Sequence, residues 1–347
     1  MRNIFFVIVL LFLLIGCKTK TSTTEKRLNN NSPTTTDFVI TFGSCNKHNV
    51  ENIFWDDILG KNPDVFIWGG DIIYADTDDI TKLREFYDMQ DAVPGYSSLK
   101  KETFITGTWD DHDYGLNDGG VEFSAKKGSQ QAFLDFMDVP ERDARRERDG
   151  VYSSQLISKP NGSVKIINLD TRLFRTNLTD DKAEGRRYRA NDYGEGTILG
   201  VQQWTWLQDE LNNSKADFNL IISSIQFLSD KHGFEKWANH PAEVDKMKQI
   251  ISSSKAKGVI ILSGDRHISE FSKTDVEGMS YPLLDFTSSG LTHSYSSFSG
   301  EPNPYRVGDV TFVPSYGLIE INVESSTALL KIMGDNGEVL QELKQRF

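Results

Sequence analysis

The chain has 347 residues, and 50 acidic against 38 basic side chains leave a formal net charge of −12. That balance argues against a general binder of nucleic acid or of an anionic membrane. A site for an anionic group must therefore bring its own local positive charge.

The first residues do not read as fold. After Met1, Arg2 and Asn3, residues 4–15 are almost unbroken Ile, Phe, Val and Leu. The run is shorter than the about 20 residues that span a bilayer comfortably, and it fits the apolar region of a secretory signal over residues 1–16. It closes on Leu14, Ile15, Gly16 and Cys17, which resembles a bacterial lipobox. In that reading Gly16 lets the backbone into the peptidase, and Cys17 is lipidated and becomes the new N-terminus. A plain signal or a membrane anchor, with an incidental cysteine, is the alternative. Residues 17–36 then form a tether rich in Lys, Thr, Ser and Asn, with no aromatic residue, and are expected to be disordered. The expectation is an exported protein of the bacterial cell envelope, lipid-anchored at the outer membrane or periplasmic face. Residues 37–347 show no second linker and no repeat, so one domain is expected.

Within that domain strands and helices alternate. Residues 38–43 (FVITFG) read as a short buried strand. Asn49 can cap a helix with Val50, Ile53, Phe54 and Ile58 on one face. Strands follow at 64–68 and 104–109, with helices over 79–89 and 124–137. Further strands are expected at 164–169, 220–225 and 258–262. A helix over 201–212 carries Val201, Trp204, Leu207 and Leu211 on one stripe. Another follows Pro241, with Val244, Met247, Ile250 and Ile251 inward. Three strands close the chain at 318–323, 328–333 and 338–343, the last two joined by a turn at Gly334, Asp335, Asn336 and Gly337. The pattern points to α/β layers with antiparallel strands at the end, in a two-sheet sandwich flanked by helices. Residues 173–199 lack periodicity and hold Arg175, Arg186, Arg187 and Arg189, which suits a lid or binding loop.

Five apolar strands run straight into polar clusters at their carboxyl ends. These are Ser44, Cys45 and Asn46; Asp71 to Tyr74; Asp110 to Asp113; Asp170, Thr171 and Arg172; and Asp265, Arg266 and His267. In open α/β sheets ligands bind beyond the carboxyl ends of the strands. Each cluster also has a plain reading. Asp71 could cap a turn after Gly69 and Gly70, Tyr74 could be a half-buried aromatic, and Cys45 a small core residue. Asp110 and Asp111 cannot both be idle and buried, because adjacent unpaired carboxylates are costly inside. No Gly-x-Ser-x-Gly and no phosphate-cradling Gly-Lys-Ser/Thr loop is present.

The segments FGSC, GGDIIYAD, TWDDHDYGLN, NLDTRLFR, LGVQQWTWL, ISSIQF and LSGDRH, in that order, resemble the PhoD-like alkaline phosphatases, a branch of the calcineurin-like metallophosphoesterases. The resemblance implies a four-layer α/β/β/α sandwich of mixed sheets and a metal-dependent hydrolase of phosphate esters, in which a metal-bound hydroxide attacks phosphorus. It implies that Cys45, Asp71, Tyr74 and His267 hold a ferric ion. Asp71 bridges to calcium, with Asp265, Asn117 and Asp111 as further metal ligands. His112 then assists the leaving oxygen, and Arg172 grips the phosphate. Thiolate and phenolate suit trivalent iron, and carboxylate and amide oxygens suit calcium. Two other readings remain open: a phosphodiesterase of lipids or teichoic-acid-like polymers, and an inactive surface-attached binding lipoprotein.

Overall fold

Strands with apolar side chains on both faces organise residues 36–347, the part of the chain that this computed structural model describes. The signal, Cys17 and all of the tether before residue 36 lie outside the described residues. In chain order the elements begin with β1 (Phe38–Gly43), α1 (Trp55–Gly60), β2 (Val65–Gly69), α2 (Ile80–Asp91), α3 (Pro94–Glu102), β3 (Phe104–Thr108), α4 (Asp111–Tyr114) and α5 (Lys126–Phe136). There follow β4 (Ser153–Lys159), β5 (Gly162–Asn168), β6 (Thr179–Asp180), β7 (Tyr188–Arg189), α6 (Gly200–Asn212), β8 (Phe218–Ile222), α7 (Pro241–Ser253) and β9 (Val259–Ser263). The last are β10 (Ser269–Thr274), β11 (Leu283–Ser288), β12 (Arg306–Thr311), β13 (Tyr316–Asn322), β14 (Thr327–Met333) and β15 (Val339–Arg346).

Two mixed sheets result. One runs β15-β14-β13-β1-β2-β3, the other β12-β10-β11-β9-β8-β5-β4. In the first, β1, β2 and β3 are parallel, while β13, β14 and β15 add antiparallel strands on the other side of β1. In the second, β5, β8, β9 and β11 are parallel, and the antiparallel β4, β10 and β12 lie outside them.

Side-chain alternation along each strand then makes four layers. On β2, Val65 and Ile67 enter the core between the sheets, where they meet Val164, Leu220 and Ile260 from the second sheet. Phe66 and Trp68 point the other way, into a core shared with α1, α2, α3 and α5. On β9, Ile260 and Leu262 face the first sheet, while Val259 and Ile261 pack under Trp204, Leu207 and Met247 of α6 and α7. Both faces are covered, so these strands carry continuous apolar runs. The architecture is the α/β/β/α sandwich.

Local boundaries differ from the expectation at three points. The first helix begins only at Trp55, because the Asn52 side chain accepts the Phe54 N–H at 2.9 Å in a local turn; Val50 and Ile53 are left exposed. Val201 is 85% exposed in the first turn of α6. Gln203 takes the inward position instead, since its amide bonds both the N–H and the C=O of Asp170 at 2.8 Å. The segment 173–199 is not wholly irregular, for β6 and β7 pair into a short hairpin.

Candidate metal centre

The turns beyond β1, β2, β3 and β9 meet at one edge of the sandwich. A parallel bridge between Ser44 and Ser289 joins the end of β1 to the end of β11, stitching the two sheets there. Cys45, Asp71, Asp265 and His267 all have positive φ, at 59°, 51°, 67° and 55°. That region costs a non-glycine residue of order 1–3 kcal/mol and persists only where the surroundings hold it. Its effect is to turn the chain sharply at each strand end. Gly70 (φ 96°) makes the second turn possible, because a Cβ there would lie 2.5 Å from the Asp110 Cβ.

Three overlapping sets of ligand-type atoms, each mutually within 4.8 Å, come together: Cys45, Asp71 and His267; Asp71, Asp111 and His112; Asp110, Asp111 and Asp265. The Cys45 thiol donates to Asp71 Oδ2 at 3.4 Å. The Tyr74 hydroxyl lies 3.4 Å from the same oxygen and 3.0 Å from His267 Nε2. Asp71 is thus the shared member, with Oδ1 reached by the His112 N–H at 3.4 Å. Asp111 accepts from His112 N at 2.9 Å and from Asp118 N at 2.7 Å.

Such crowding of anions is unfavourable without a cation. Burial pushes the Cys45 thiol up to about 12, against the Ser289 hydroxyl that favours the thiolate. Burial, then Cys45 and Asp111, hold Asp71 well above the carboxylate range. Burial and the Asp111 charge lift Asp265 to about 8. Burial lowers His267 to about 4, with His112 and Arg266 adding to the effect. Burial also opposes charge on His112, but Asp71, Asp76 and Asp111 outweigh it and raise that imidazole to about 11. A bound cation reverses these shifts, deprotonating thiol and carboxylates as it enters. The donor set therefore fits metal: one soft and imidazole-containing group at Cys45, Tyr74 and His267, and one of hard carboxylate oxygens at Asp111 and Asp265, joined by Asp71.

Of the residues singled out in the sequence, Cys45, Asp71, Tyr74, Asp111, His112, Asp265 and His267 converge. Asn117 is exposed and lines a neighbouring cavity of about 340 Å³ with Asp111, His112, Asp265 and His267. Arg172 is a correction. It is 0% exposed and absent from that cavity. Asp110 binds it at 2.5 Å and Glu235 at 2.7 Å. Its guanidinium is closed between two buried carboxylates and does not face the cavity in this arrangement. Arg187, Arg266, Phe234 and Tyr295 line the cavity instead.

Three residues near the ligands escaped the sequence reading. Asp76 contacts His112 Nδ1 with both carboxylate oxygens, at 2.8 and 2.9 Å. Its signal was present, five residues after Asp71 on the same turn. Ser289 bonds Cys45 Sγ at 3.0 Å and accepts the His267 N–H at 2.7 Å. The His293 ring lies 4.4 Å from that of His267 and 5.1 Å from that of Tyr74. Ser289 and His293 lie just beyond β11, in a loop that gives no periodic signal.

Residues 39–303 match the PhoD-like phosphatase family. The chain belongs to that family. Alkaline phosphatase D of Bacillus subtilis (strain 168) is 26% identical in an alignment of 188 residues that covers 49% of this chain. The match spans 32% of that PhoD-like relative's length, about a third. Among solved structures, one described as PhoD superposes with a TM-score of 0.70 at 16% identity, covering 90% of this chain and 69% of the other. GAP50, the anchor in the inner membrane complex of Plasmodium, gives 0.56 at 11% identity and 90% coverage of each chain. A dimetal phosphatase from Danio rerio gives 0.51 at 11% identity, covering 89% of this chain and 99% of that one. These likenesses show the fold alone.

Proposed function

We propose that the chain is an exported, lipid-anchored hydrolase of phosphate esters, working with iron and calcium at the site around Asp71. The observation that carries the reading is the convergence of Cys45, Asp71, Tyr74 and His267 with Asp111 and Asp265 from turns of both sheets. Fold alone would not support it, since a fold hosts many functions, and GAP50 has this fold as an anchor. Thiolate, phenolate and imidazole favour a trivalent iron, and the oxygen-only set beside it favours calcium. When bound, the metal pair polarises the phosphoryl oxygens and lowers the pKa of water.

The chain's own residues supply the rest. Asp76 takes His112 Nδ1, which leaves Nε2 as the nitrogen for substrate. Asp71 and Asp111 would hold metal, which would offset part of their attraction for the His112 proton and let His112 serve as a general acid. His112 then protonates the leaving oxygen. Arg187, half exposed in the cavity wall and paired with Asp118 at 3.0 Å, turns to the non-bridging phosphoryl oxygens. Arg172 braces Asp110, beside Asp111 and Asp265, and Glu235 in the cavity lining. Export and lipidation at Cys17 rest on the sequence of residues 1–36 alone.

The test is metal analysis of the purified protein with hydrolysis of p-nitrophenyl phosphate and bis-p-nitrophenyl phosphate. The expected result is bound iron with a visible tyrosinate band and turnover of at least one ester. Failure to bind any metal after reconstitution with iron and calcium would overturn the reading.

A further inference from the structure

Two aromatic rings line the cavity beside the candidate metal ligands. Phe234 and Tyr295 line it with Arg187 and Arg266. The Arg266 guanidinium lies 4.2 Å from the centroid of Phe234, and Glu301 holds that guanidinium with both oxygens at 2.7 and 2.8 Å. Phe234 is therefore backed by a fixed, neutralised cation. Arg187 lies 5.7 Å from the same ring. The Tyr295 N–H donates to the carbonyl of His267 at 2.8 Å, which ties this ring to a proposed metal ligand. Phe298 stands 6.2 Å behind Tyr295, and Phe312 6.0 Å behind Phe298. Tyr295 and Phe312 remain exposed.

Rings anchored at a cavity mouth offer apolar area that a ligand can cover. The chemistry of that ligand follows from what else lines the cavity. His112, His267, Asp111 and Asp265 form its polar side, where the phosphoryl group belongs. Its remaining lining includes no aliphatic side chain, so it lacks the greasy groove an acyl chain would need. Flat rings instead match a flat, π-bearing group, which stacks on them.

We propose that Phe234 and Tyr295 select phosphate esters whose organic group is a flat aromatic or heteroaromatic ring. This rests on the phosphoesterase reading and adds its substrate class. Aryl phosphates and nucleotides share that chemistry.

The test uses the metal-loaded protein and pairs of ligands that differ only in the ring. Phenylphosphonate and methylphosphonate cannot be hydrolysed, so their inhibition constants report binding free of leaving-group reactivity. Phenylphosphonate is expected to bind about three- to tenfold more tightly, the value of one good aromatic contact. Adenosine 5′-phosphate and ribose 5-phosphate have the same leaving oxygen. A higher kcat/KM for the first identifies a nucleobase, whereas a preference confined to phenylphosphonate identifies a small aryl group. Phe234→Leu and Tyr295→Leu bring the favoured ratio toward one, while Arg187→Ala weakens both phosphonates alike. Ratios near one in the unmutated protein overturn the ring assignment and leave the phosphoesterase reading standing. A ratio kept in both ring variants also overturns it. Absence of turnover and of inhibition by any of these anions sinks the phosphoesterase reading itself.

Discussion

At the scale of the single residue, two side chains carry opposite lessons. His112 owes its raised proton affinity to three carboxylates, against burial, and Asp76 is the one outside the ligand set. Asp76→Asn keeps a hydrogen-bond partner for Nδ1 but removes a charge that favours imidazolium. The His112 pKa then falls, so the protonated form is lost at lower pH. The alkaline limb of the kcat/KM profile of the metal-loaded enzyme is expected to move down by about one pH unit; an unmoved limb separates Asp76 from the proton donor. Arg172 behaves differently. It is buried with Asp110 and Glu235 on either side. Arg172→Met strands two carboxylates in the interior, a loss of about 3–5 kcal/mol for a broken buried pair. Urea unfolding should show that loss. A fully stable variant with only a raised KM would restore Arg172 to the phosphate.

At the scale of the element, the turn between β2 and the Asp71 ligand is the sharpest case. Gly70→Ala adds a Cβ at 2.5 Å from Asp110 and forces φ 96° on an L residue. Gly185 also has positive φ, at 75°, but its Cβ would meet nothing within 4 Å. Left-handed strain alone costs roughly 1–2 kcal/mol, so Gly185→Ala should lose about that much. Gly70→Ala should lose more and also lose metal. Equal melting temperatures for the two variants would remove the crowding argument. The same distinction governs what the sequence revealed. The strands β1, β2, β5, β8 and β9 were legible because burial makes each of them mostly apolar, with an unbroken run in β2 and over Val259–Leu262 of β9. β4 and β12 are edge strands with largely polar faces, and β10 reads SEFSKT although four of its residues are buried. Their pairing comes from neighbouring strands, not from local pattern. α3 opens with Pro94 and Gly95 and carries a weak stripe, so it went unseen. The candidate ligands were legible because each follows a buried strand. The burial of Arg172 was not, since it depends on Glu235, which lies 63 residues further along.

At the scale of the whole molecule, the metal centre is where the fold stores unfavourable charge, and this sets how stability responds to pH. Burial raises Asp265 and Asp113 to about 8 in the folded state. Unfolded carboxylates titrate near 4. Between those limits the folded chain holds protons that the unfolded chain has released, so metal-free protein loses stability as pH rises from about 4 to about 8. His112, raised to about 11, continues the decline above the ordinary histidine value. His267, lowered to about 4, acts the other way and costs stability as pH falls below about 6.5. Burial lowers His48, His232, His240 and His293 in the same sense as His267, but Asp71, Asp110, Asp118 and Asp285 are raised with Asp265, Asp113 and His112 and outnumber them, so the metal-free protein should melt at lower temperature at pH 8 than at pH 6. Metals replace the protons and bind the ionised forms, so loading should raise the melting temperature most at pH 8. Thermal melts with and without chelator at the two pH values give the comparison. A gap between loaded and stripped protein that narrows from pH 6 to pH 8 would mean that these carboxylates do not meet at a metal.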